Sequence, residues 1–555
     1  MKRSNLISKI MLALFFLVLA FISTYPAFIG HFFKLTMDGQ IHLIRFESVA
    51  DAIKNKELPP IVNFMGYGNV GEVFNGMYPW LAGLVFIIPR ALLSSPMHAL
   101  FIGFYLLNIL TILNTYLLVR KLSNNYYIRL IGVVLYQLNA YHLTLMYSRN
   151  ALGEALAYAF LPLLMLGCHL IWNNKKIGIL YLALGMGMIV NSHMISSILA
   201  FLLIIIAEIY RIFERKLSLK EIGYFISAGI LTIPIMIFTV ANIANISLQN
   251  RIATTWRGIN SIDMWESLKA MLQNDIADKS IIFNIGIICF VLLCILLMTS
   301  IVSKANESWK KYILGAGIIY ILTLNIIPLP ASLPQTPVGI IQFTGRLLSI
   351  VMILLTVSYV LFLKENSNRV NTKSSFIFLF MIMSLLTVGS VRTYHNTVND
   401  DPIRYYINND NYVEEISKST EGDMDYALIG KNKQVIIGEM SHRYTVSKAS
   451  YNSIILKVDK KANQIPFFLY KGIPYEVKVN DKNTKIKVGS ILKLKVKRGD
   501  IIHYIKSLIF SLFQPLAKYN TYTNNKYCNS TYYERRIVPP CSLRTNLNYI
   551  SAFNF

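Results

Sequence analysis

The chain has 555 residues, of which 54% are hydrophobic and 15% are charged, and its mean hydropathy is +0.46. Because a soluble domain carries about a quarter charged residues, this composition excludes an ordinary soluble protein and indicates a multi-span membrane protein. The formal net charge is +25 at pH 7. The Lys and Arg residues, however, fall mostly in short runs between apolar segments, where they set orientation and meet lipid headgroups. Binding to nucleic acid is therefore not expected.

Apolar runs along the chain predict about eleven membrane-spanning helices, since a span takes about 17 to 25 residues. They lie at residues 6–29, 98–118, 130–147, 151–172, 177–192, 194–212, 222–243, 280–302, 312–328, 343–363 and 374–391. The first run follows Lys2 and Arg3 and is longer than the hydrophobic part of a signal peptide. It predicts a retained signal-anchor helix.

The segment "YPWLAGLVFIIPRALLSS" (78–95) decides which side each loop faces. If it does not cross, the basic clusters between spans all fall on the cytoplasmic side, as the positive-inside rule requires. If it crosses, every later cluster moves outside. We therefore expect 78–95 to form an interfacial helix in a first outer loop, 30–97, and the N-terminus to be cytoplasmic. The loop 244–279, the connection 327–346 and the chain after 391 then also face outward.

The C-terminal part of the chain changes from helical to alternating patterns. Segments such as "YNSIILKVDK", "PYEVKVN" and "TKIKVGSILKLKVKRGD" alternate apolar and polar residues between Tyr426 and Val496. These segments predict an extracytoplasmic β-sandwich-like domain over 392–500. It follows a transmembrane domain over 1–391 and precedes an atypical tail over 501–555, which we expect to be disordered.

Ionisable and aromatic residues gather at the predicted outer ends of the helices. Such groups are costly at membrane depth and tend to be functional. The candidates for the site are Asp38, His42, Arg45, Arg149, Glu154, His193, Trp256, Arg257 and Arg346. The first three stand at i, i+4 and i+7, which is one face of a helix.

Each main candidate also has a structural alternative. Asp38 could cap the helix that follows it, and Glu154 could simply pair with Arg149. His193, in the turn "NSHMISS", could be a satisfied turn histidine, and Arg346 could be an interfacial anchor.

The chemistry that suits this set is group transfer at a membrane surface. A carboxylate can take the proton of an acceptor hydroxyl as general base. A second carboxylate can orient the acceptor or hold a divalent cation, Mg²⁺ or Mn²⁺, for which Asp38 and Glu154 are the candidate ligands. Arginine or histidine can stabilise the charge that builds on a phosphate leaving group. No Gly-rich nucleotide loop after a strand and no hydrolase or metalloprotease motif is present, so a soluble nucleotide sugar is not expected as donor.

The motifs resemble those of a known family. The run "MDGQIHLIRFESVADAIKNKELPPIVNFMGYGNVGEVFNGMYPW" is similar to the first outer loop of the YfhO-like bacterial membrane proteins and of the neighbouring family labelled pyruvoyl-tetrahydropterin-synthase-related. "YSRNALGEALAYAFLPLL" and "QFTGRLL" resemble their Arg-x-x-x-x-Glu and Gln-Phe-x-x-Arg segments. The resemblance covers most of residues 1–391. "MYPW" departs from their Tyr-Pro-Pro pattern, and the C-terminal tail departs from the hydrophobic segment in which relatives often end.

These families look like members of the GT-C glycosyltransferase superfamily, so the resemblance implies a GT-C-like fold, interfacial helices in the first outer loop and a polyprenyl-phosphate sugar donor. It implies Asp38 as catalytic base, Glu154 as second acidic residue, His193 at a position where relatives place a basic residue, and Arg346 as a donor-phosphate contact. His42, Arg45, Arg149, Trp256 and Arg257 are expected to bind substrate.

Three functions follow as hypotheses. The first is a glycosyltransferase in the bacterial plasma membrane that transfers a sugar to a cell-envelope glycan, lipid or protein. The second is a transporter or flippase of lipid-linked saccharides, and the third is a non-catalytic envelope-assembly factor.

Overall fold

Helices make up most of the computed structural model, which describes residues 2–303, 307–397, 405–418, 425–430 and 443–506. The helices before the site loops are α1 (Lys2–Thr24), α2 (Met37–Lys54), α3 (Phe74–Met77), α4 (Leu84–Leu92), α5 (Pro96–Leu122), α6 (Tyr126–Gln137), α7 (Ala140–Leu143), α8 (Leu152–Trp172), α9 (Gly178–Val190), α10 (Met194–Phe213) and α11 (Leu219–Gln249). Those that follow are α12 (Met264–Leu272), α13 (Ile287–Val302), α14 (Lys310–Thr323), α15 (Leu348–Glu365), α16 (Thr372–Asn396) and α17 (Tyr412–Ser417).

Seven helices within the described residues are long and apolar enough to cross a membrane, which confirms a multi-span membrane protein. They are Leu6–Ala27, Pro96–Leu122, Leu152–Trp172, Met194–Phe213, Leu219–Gln249, Thr344–Glu365 and Thr372–Asn396. The other four predicted spans fall on shorter or interrupted helices, namely α6 with α7, α9, α13 and α14. The total of eleven crossings therefore stays a prediction.

The first predicted outer loop folds into helices. Its segment 78–95 contains α4, which has nine residues. At 1.5 Å per residue such a helix is about 14 Å long, too short to cross a bilayer. Arg90 of α4 donates two hydrogen bonds of 2.7 Å to the carboxylate of Glu47 in α2, and this bidentate pair joins the two helices.

The C-terminal region is rich in β-strands, as the alternating pattern predicted. Its strands, together with three short ones that lie earlier in the chain, are β1 (Phe33–Leu35), β2 (Ile259–Asn260), β3 (Gln342–Phe343), β4 (Tyr405–Ile407), β5 (Tyr444–Ala449), β6 (Ser453–Val458), β7 (Ile465–Leu469), β8 (Tyr475–Val479), β9 (Lys482–Asn483), β10 (Ser490–Leu492) and β11 (Ile501–Lys506). One antiparallel sheet has the order β5-β6-β11-β8-β9, and β10 pairs separately with β7.

The predicted boundary after residue 500 is wrong. Strand β11, over 501–506, lies inside the five-stranded sheet and pairs with β6 on one side and β8 on the other. Because both of its edges are occupied, these residues belong to the sheet and not to a tail. The remainder of the predicted tail, from residue 507, lies outside the described residues, and so does "KQVIIGEM" (433–440), a further stretch of the alternating pattern between Tyr426 and Val496.

The β-rich region packs against the first loop, not only against itself. Val62, Phe64 and Val70 belong to the same buried apolar cluster as Phe467 and Phe468. The amide of Phe468 also donates to the carbonyl of Val70 at 2.8 Å. Burial of each large apolar side chain contributes about 1.5 to 3 kcal/mol, so this contact fixes the first loop against the sheet.

Candidate functional site

A cavity of about 670 Å³ lies at one end of the membrane helices, where the starts of α8 and α10 meet the end of α11. Its size is in the range of sites that take small ligands. Every residue predicted for the site except Arg45 lines it: Asp38, His42, Arg149, Glu154, His193, Trp256, Arg257 and Arg346. The fold therefore brings together side chains that are as far apart as positions 38 and 346 in the sequence.

An interrupted helix places Arg149 in this cavity. Residues 144–148 form a π-helical turn, in which the amide of Arg149 donates to the carbonyl of Thr144 at 2.9 Å. Asn150 follows with φ of 48°, and its side chain donates to the carbonyls of Met146 and Tyr147. π-Helical turns occur often at functional sites, and this one redirects the chain between α7 and α8.

The same turn holds the start of α2, and thereby Asp38. The N-cap of α2 is Thr36, whose hydroxyl accepts from the amide of Gly39 and donates to the carbonyl of Arg149. The amide of Thr36 donates to the Asn150 side chain at 2.8 Å. Asp38 lies in the first turn of α2, so the alternative that Asp38 caps this helix is wrong.

Loss of the Thr36 hydroxyl should cost both stability and activity. We expect Thr36→Val to lower the free energy of unfolding by about 1 kcal/mol, the usual cost of a lost N-cap. It should also lower activity, because the helix that carries Asp38 loses its hydrogen bond to Arg149. The matched control is Ser218→Ala, which removes the N-cap hydroxyl of α11 at the other end of the bundle. The control should lose stability in thermal unfolding and keep its activity per folded molecule; equal activity loss in both variants would contradict the assignment.

Arg149 is the centre of a charged cluster. Its guanidinium lies 3.0 Å from Glu154, 3.6 Å from Asp38 and 3.6 Å from Asp278. Burial alone would lower the pKa of Arg149, but Glu154, Asp278 and Asp38 together raise it above its usual value. Arg149 is therefore a permanent cation. The side chain of Asp38 is 49% exposed, so its carboxylate contacts Arg149 on one side and is accessible from the cavity on another.

Glu154 is fully engaged by donors. One carboxylate oxygen accepts from the Tyr141 hydroxyl at 2.7 Å, and the other accepts from Arg149 at 3.0 Å and Arg346 at 3.3 Å. Its side chain is 4% exposed. The alternative that Glu154 pairs with Arg149 is confirmed, and the pairing extends to Arg346. This carboxylate is placed to hold two arginines side by side.

The predicted metal pairing of Asp38 and Glu154 does not fit this arrangement. One oxygen of Glu154 accepts from the Tyr141 hydroxyl and the other from two guanidinium cations, which would repel a divalent cation bound at the same carboxylate. Among the residues the structure describes, no group of three or more His, Cys, Asp and Glu side chains is placed to hold a metal. No chemical step is therefore assigned to a metal.

Phe343 contacts both arginines of the cavity wall. The centre of its ring lies 4.7 Å from the guanidinium carbon of Arg149 and 4.4 Å from that of Arg346. Cation–π contacts of this kind add stabilisation where the cation is desolvated. Two guanidiniums that share one carboxylate and one aromatic ring make a site suited to a phosphate group.

His193 acts as a neutral residue. It is the N-cap of α10, where its Nδ1 accepts from the amide of Ser196, so the ring proton is on Nε2. His193 is thus a turn histidine whose Nδ1 is satisfied within the turn, as the structural alternative predicted. The same side chain also lines the cavity. Burial, with Arg346 as the next contribution, lowers the pKa of His193 to about 3.

This shift predicts a pH-dependent stability. The unfolded chain binds a proton at His193 below about pH 6.5, whereas the folded protein does so only near pH 3. Stability should therefore fall as the pH drops from 6.5 towards 3, by up to about 1.4 kcal/mol per pH unit from this residue. His193→Asn keeps a good N-cap and removes the titration. Thermal unfolding of the variant between pH 6.5 and 5 should show a smaller slope than wild type; an identical slope would contradict a neutral His193.

His42 and Arg45 support the wall of the cavity. Arg45 is fully buried and donates to the carbonyls of Tyr78 and Pro79, both at 2.9 Å, and to Nδ1 of His42 at 3.3 Å. Burial, and then Arg45, lower the pKa of His42 well below its usual value. Since Arg45 does not line the cavity, the predicted contact of Arg45 with substrate is replaced by a supporting role behind His42 and Tyr78.

Several site residues were not found from the sequence. Asp278 contacts Arg149 although it lies near the end of the predicted outer loop 244–279, in "NDIADKS". Tyr141 and Phe343 carry no charge, and nothing in the spacing of Tyr141 marks it. Asp425 and Tyr426, which also line the cavity, come from the β-rich region. The only available signal was the Gln-Phe-x-x-Arg segment, which includes Phe343.

Comparisons with known proteins found no matching family model and no matching curated protein. We therefore infer the function from the geometry of the cavity and the chemistry of the residues that line it.

Proposed function

We propose that the protein is a membrane glycosyltransferase of the GT-C type. It moves a sugar from a polyprenyl-phosphate donor to a glycan, lipid or protein of the cell envelope, at the outer face of a bacterial plasma membrane. One observation carries this proposal: acidic, basic and aromatic side chains from distant parts of the chain line one cavity at a single end of the membrane helices.

Asp38 is the general base in this proposal. Its exposed carboxylate takes the proton of the acceptor hydroxyl as that oxygen forms a bond to the anomeric carbon of the sugar. The bond between the anomeric carbon and the donor phosphate breaks in the same reaction. Arg149, at 3.6 Å, pairs with this carboxylate and orients it.

Arg346 and His193 receive the departing phosphate. Arg346 uses Nε for Glu154 and one terminal nitrogen for the carbonyl of Ile341. Within the described part of the chain its other terminal nitrogen, Nη2, makes no hydrogen bond, so it can donate to a phosphate oxygen. His193 presents Nε2–H as a neutral donor. Donors that are fixed before the reaction stabilise the charge that develops on a leaving group.

An apolar wall supports a lipid-linked donor. Met194, Ile195 and Ile198, from the first two turns of α10, line the cavity next to the polar cluster. Ile198 is 43% exposed, and the next turn of α10 carries the exposed Phe201 and Leu202. A hydrocarbon chain can therefore lie along α10 while its phosphate reaches the arginines.

The second candidate function, a transporter of lipid-linked saccharides, gains support from the interrupted segment between α6 and α8. Transporters often use discontinuous helices to build a binding site near the middle of the membrane. Here, however, the interruption leads to Arg149 in the end cavity. The catalytic proposal accounts for this position better, and the third hypothesis, an assembly factor, does not account for it.

Transfer by purified protein tests the proposal. The full chain in lipid nanodiscs would be incubated with polyprenyl phosphates that carry radiolabelled glucose, galactose or N-acetylglucosamine, together with envelope fractions as acceptors. We expect label from at least one donor to enter the acceptor fraction. Movement of the labelled lipid across vesicle membranes, with no transfer of label, would favour the transporter instead.

A further inference from the structure

Trp256 is an exposed aromatic residue at the cavity, and its ring rests on the chain's own backbone. The side chain is 56% exposed and lines the cavity, whereas Gly258 two residues later is buried. A Cβ atom added to Gly258 would lie 2.0 Å from Cη2 of Trp256 and 2.4 Å from Cζ2. The indole therefore packs directly over Gly258, in space that only a glycine leaves open.

The loop beneath the ring is fixed by hydrogen bonds. The carbonyl of Trp256 accepts from the side chain of Gln342 at 2.7 Å, and the amide of Gly258 donates to the carbonyl of Gly339 at 3.0 Å. The next residues form β2, which pairs in parallel with β3. The position of the ring is thus set before any ligand binds, which lowers the entropy cost of binding.

We propose that Trp256 is a stacking platform for a pyranose ring, and that Gly258 is the residue that positions it. This inference rests on the proposed function, since it assigns a sugar subsite within the same cavity. A pyranose has one face of C–H groups, which suits an aromatic ring, and hydroxyl groups around its edge. Arg257, Gln342 and Asp425 line the same cavity and have hydrogen-bonding groups for those hydroxyls.

The alternative role for an exposed tryptophan is to anchor the protein in the lipid headgroups. Trp265 of α12 provides the matched control, because it is 63% exposed and does not line the cavity. If Trp256 is a sugar platform, sugar binding should depend on Trp256 and not on Trp265. If Trp256 is a lipid anchor, its ring should contact lipid, and its replacement should leave sugar binding unchanged.

Binding to a panel of sugars tests the proposal on the full-length protein in detergent. The probes are cellotetraose, chitotetraose and β-1,4-galactotetraose, with acyclic sorbitol as the control that has hydroxyls but no ring face. Saturation-transfer NMR and calorimetry should detect binding of at least one tetrasaccharide and none of sorbitol. Trp256→Ala should weaken that binding at least tenfold, whereas Trp256→Phe should retain most of it and Trp265→Ala all of it.

Gly258→Ala is the decisive variant, because it keeps the tryptophan and displaces its ring. Gly258 has no left-handed backbone conformation, so alanine is tolerated by the backbone itself. We expect Gly258→Ala to weaken binding about as much as Trp256→Ala, with an unchanged unfolding temperature. No binding of any tetrasaccharide, binding that survives Trp256→Ala, or quenching of Trp256 by brominated lipid would each overturn the platform.

The experiments distinguish failure of the proposed function from failure of the sugar platform. If a tetrasaccharide binds through Trp256 but no labelled donor supports transfer, the sugar subsite stands and the transferase proposal fails. If transfer occurs and Trp256→Ala leaves both transfer and sugar binding unchanged, the transferase stands and the platform fails.

Discussion

Replacement of Asp38 by asparagine should nearly abolish sugar transfer while the protein folds and inserts normally. Asparagine has almost the same shape, and Thr36 caps α2, so the helix does not depend on the Asp38 carboxylate. What the variant loses is the group that accepts a proton, and general base catalysis contributes about 100- to 10,000-fold in rate. The measurement is the rate of label transfer by purified protein in nanodiscs.

The control for this prediction is Asp51→Asn, in the last turns of the same helix. Asp51 pairs with Lys54 at 3.1 Å, away from the cavity lining. It should transfer sugar at the wild-type rate. If Asp38→Asn keeps more than about a tenth of the activity, Asp38 is not the base.

Replacement of Glu154 by glutamine should destabilise the protein and also lower its activity. The variant leaves Arg149 and Arg346 buried next to each other without the carboxylate that neutralises them. Removal of one partner from a buried ion pair costs about 3 to 5 kcal/mol. The two guanidiniums should then move apart, so that the phosphate site is lost. Thermal unfolding and transfer rate per folded molecule are the two measurements.

Glu221→Gln is the matched control for Glu154. Glu221 is equally buried and forms a bidentate pair with Arg211 between α10 and α11, and neither residue lines the cavity. This variant should lose a similar amount of stability and keep its activity per folded molecule. Wild-type activity in Glu154→Gln would show that Glu154 does not hold the arginines for function.

The sequence was informative where the signal is local. Apolar length locates a membrane helix, because a bilayer of fixed thickness selects runs of about 20 residues. Polar residues at the ends of such runs, for example Asp38 and Glu154, stand out against their apolar neighbours. In the structure nearly all of the predicted site residues line one cavity. The positive-inside rule and the resemblance of the motifs had together indicated that these residues share one membrane face.

The sequence was not informative where the structure depends on partners far away in the chain. The attachment of the start of α2 to the turn before α8 depends on Thr36 meeting Arg149 and Asn150, more than 110 residues later. The approach of Asp278 to Arg149 and the position of Phe343 between two arginines also depend on tertiary packing. Hydrophobic periodicity shows which face of an element is apolar, but it carries no information about contacts with distant residues.

The role of Glu154 shows the same limit. From the sequence it was either a second acidic residue for catalysis or metal binding or a partner of Arg149, and nothing showed that Arg346 and Tyr141 would also meet it. In the structure both of its oxygens accept hydrogen bonds from Tyr141 and the two arginines. Strand β11 is a comparable case. It belongs to the sheet because it pairs with β6 and β8, and its own sequence does not reveal these partners.

The most direct test of the central claim is mass spectrometry of cell-surface glycans. A deletion strain would be complemented with the wild-type chain, with Asp38→Asn or with Asp51→Asn, at matched membrane levels. We expect a sugar substituent that is present in the parent strain to be missing from the deletion strain and from the Asp38→Asn strain, and to return with wild type and Asp51→Asn. Identical glycans in all four strains would contradict it.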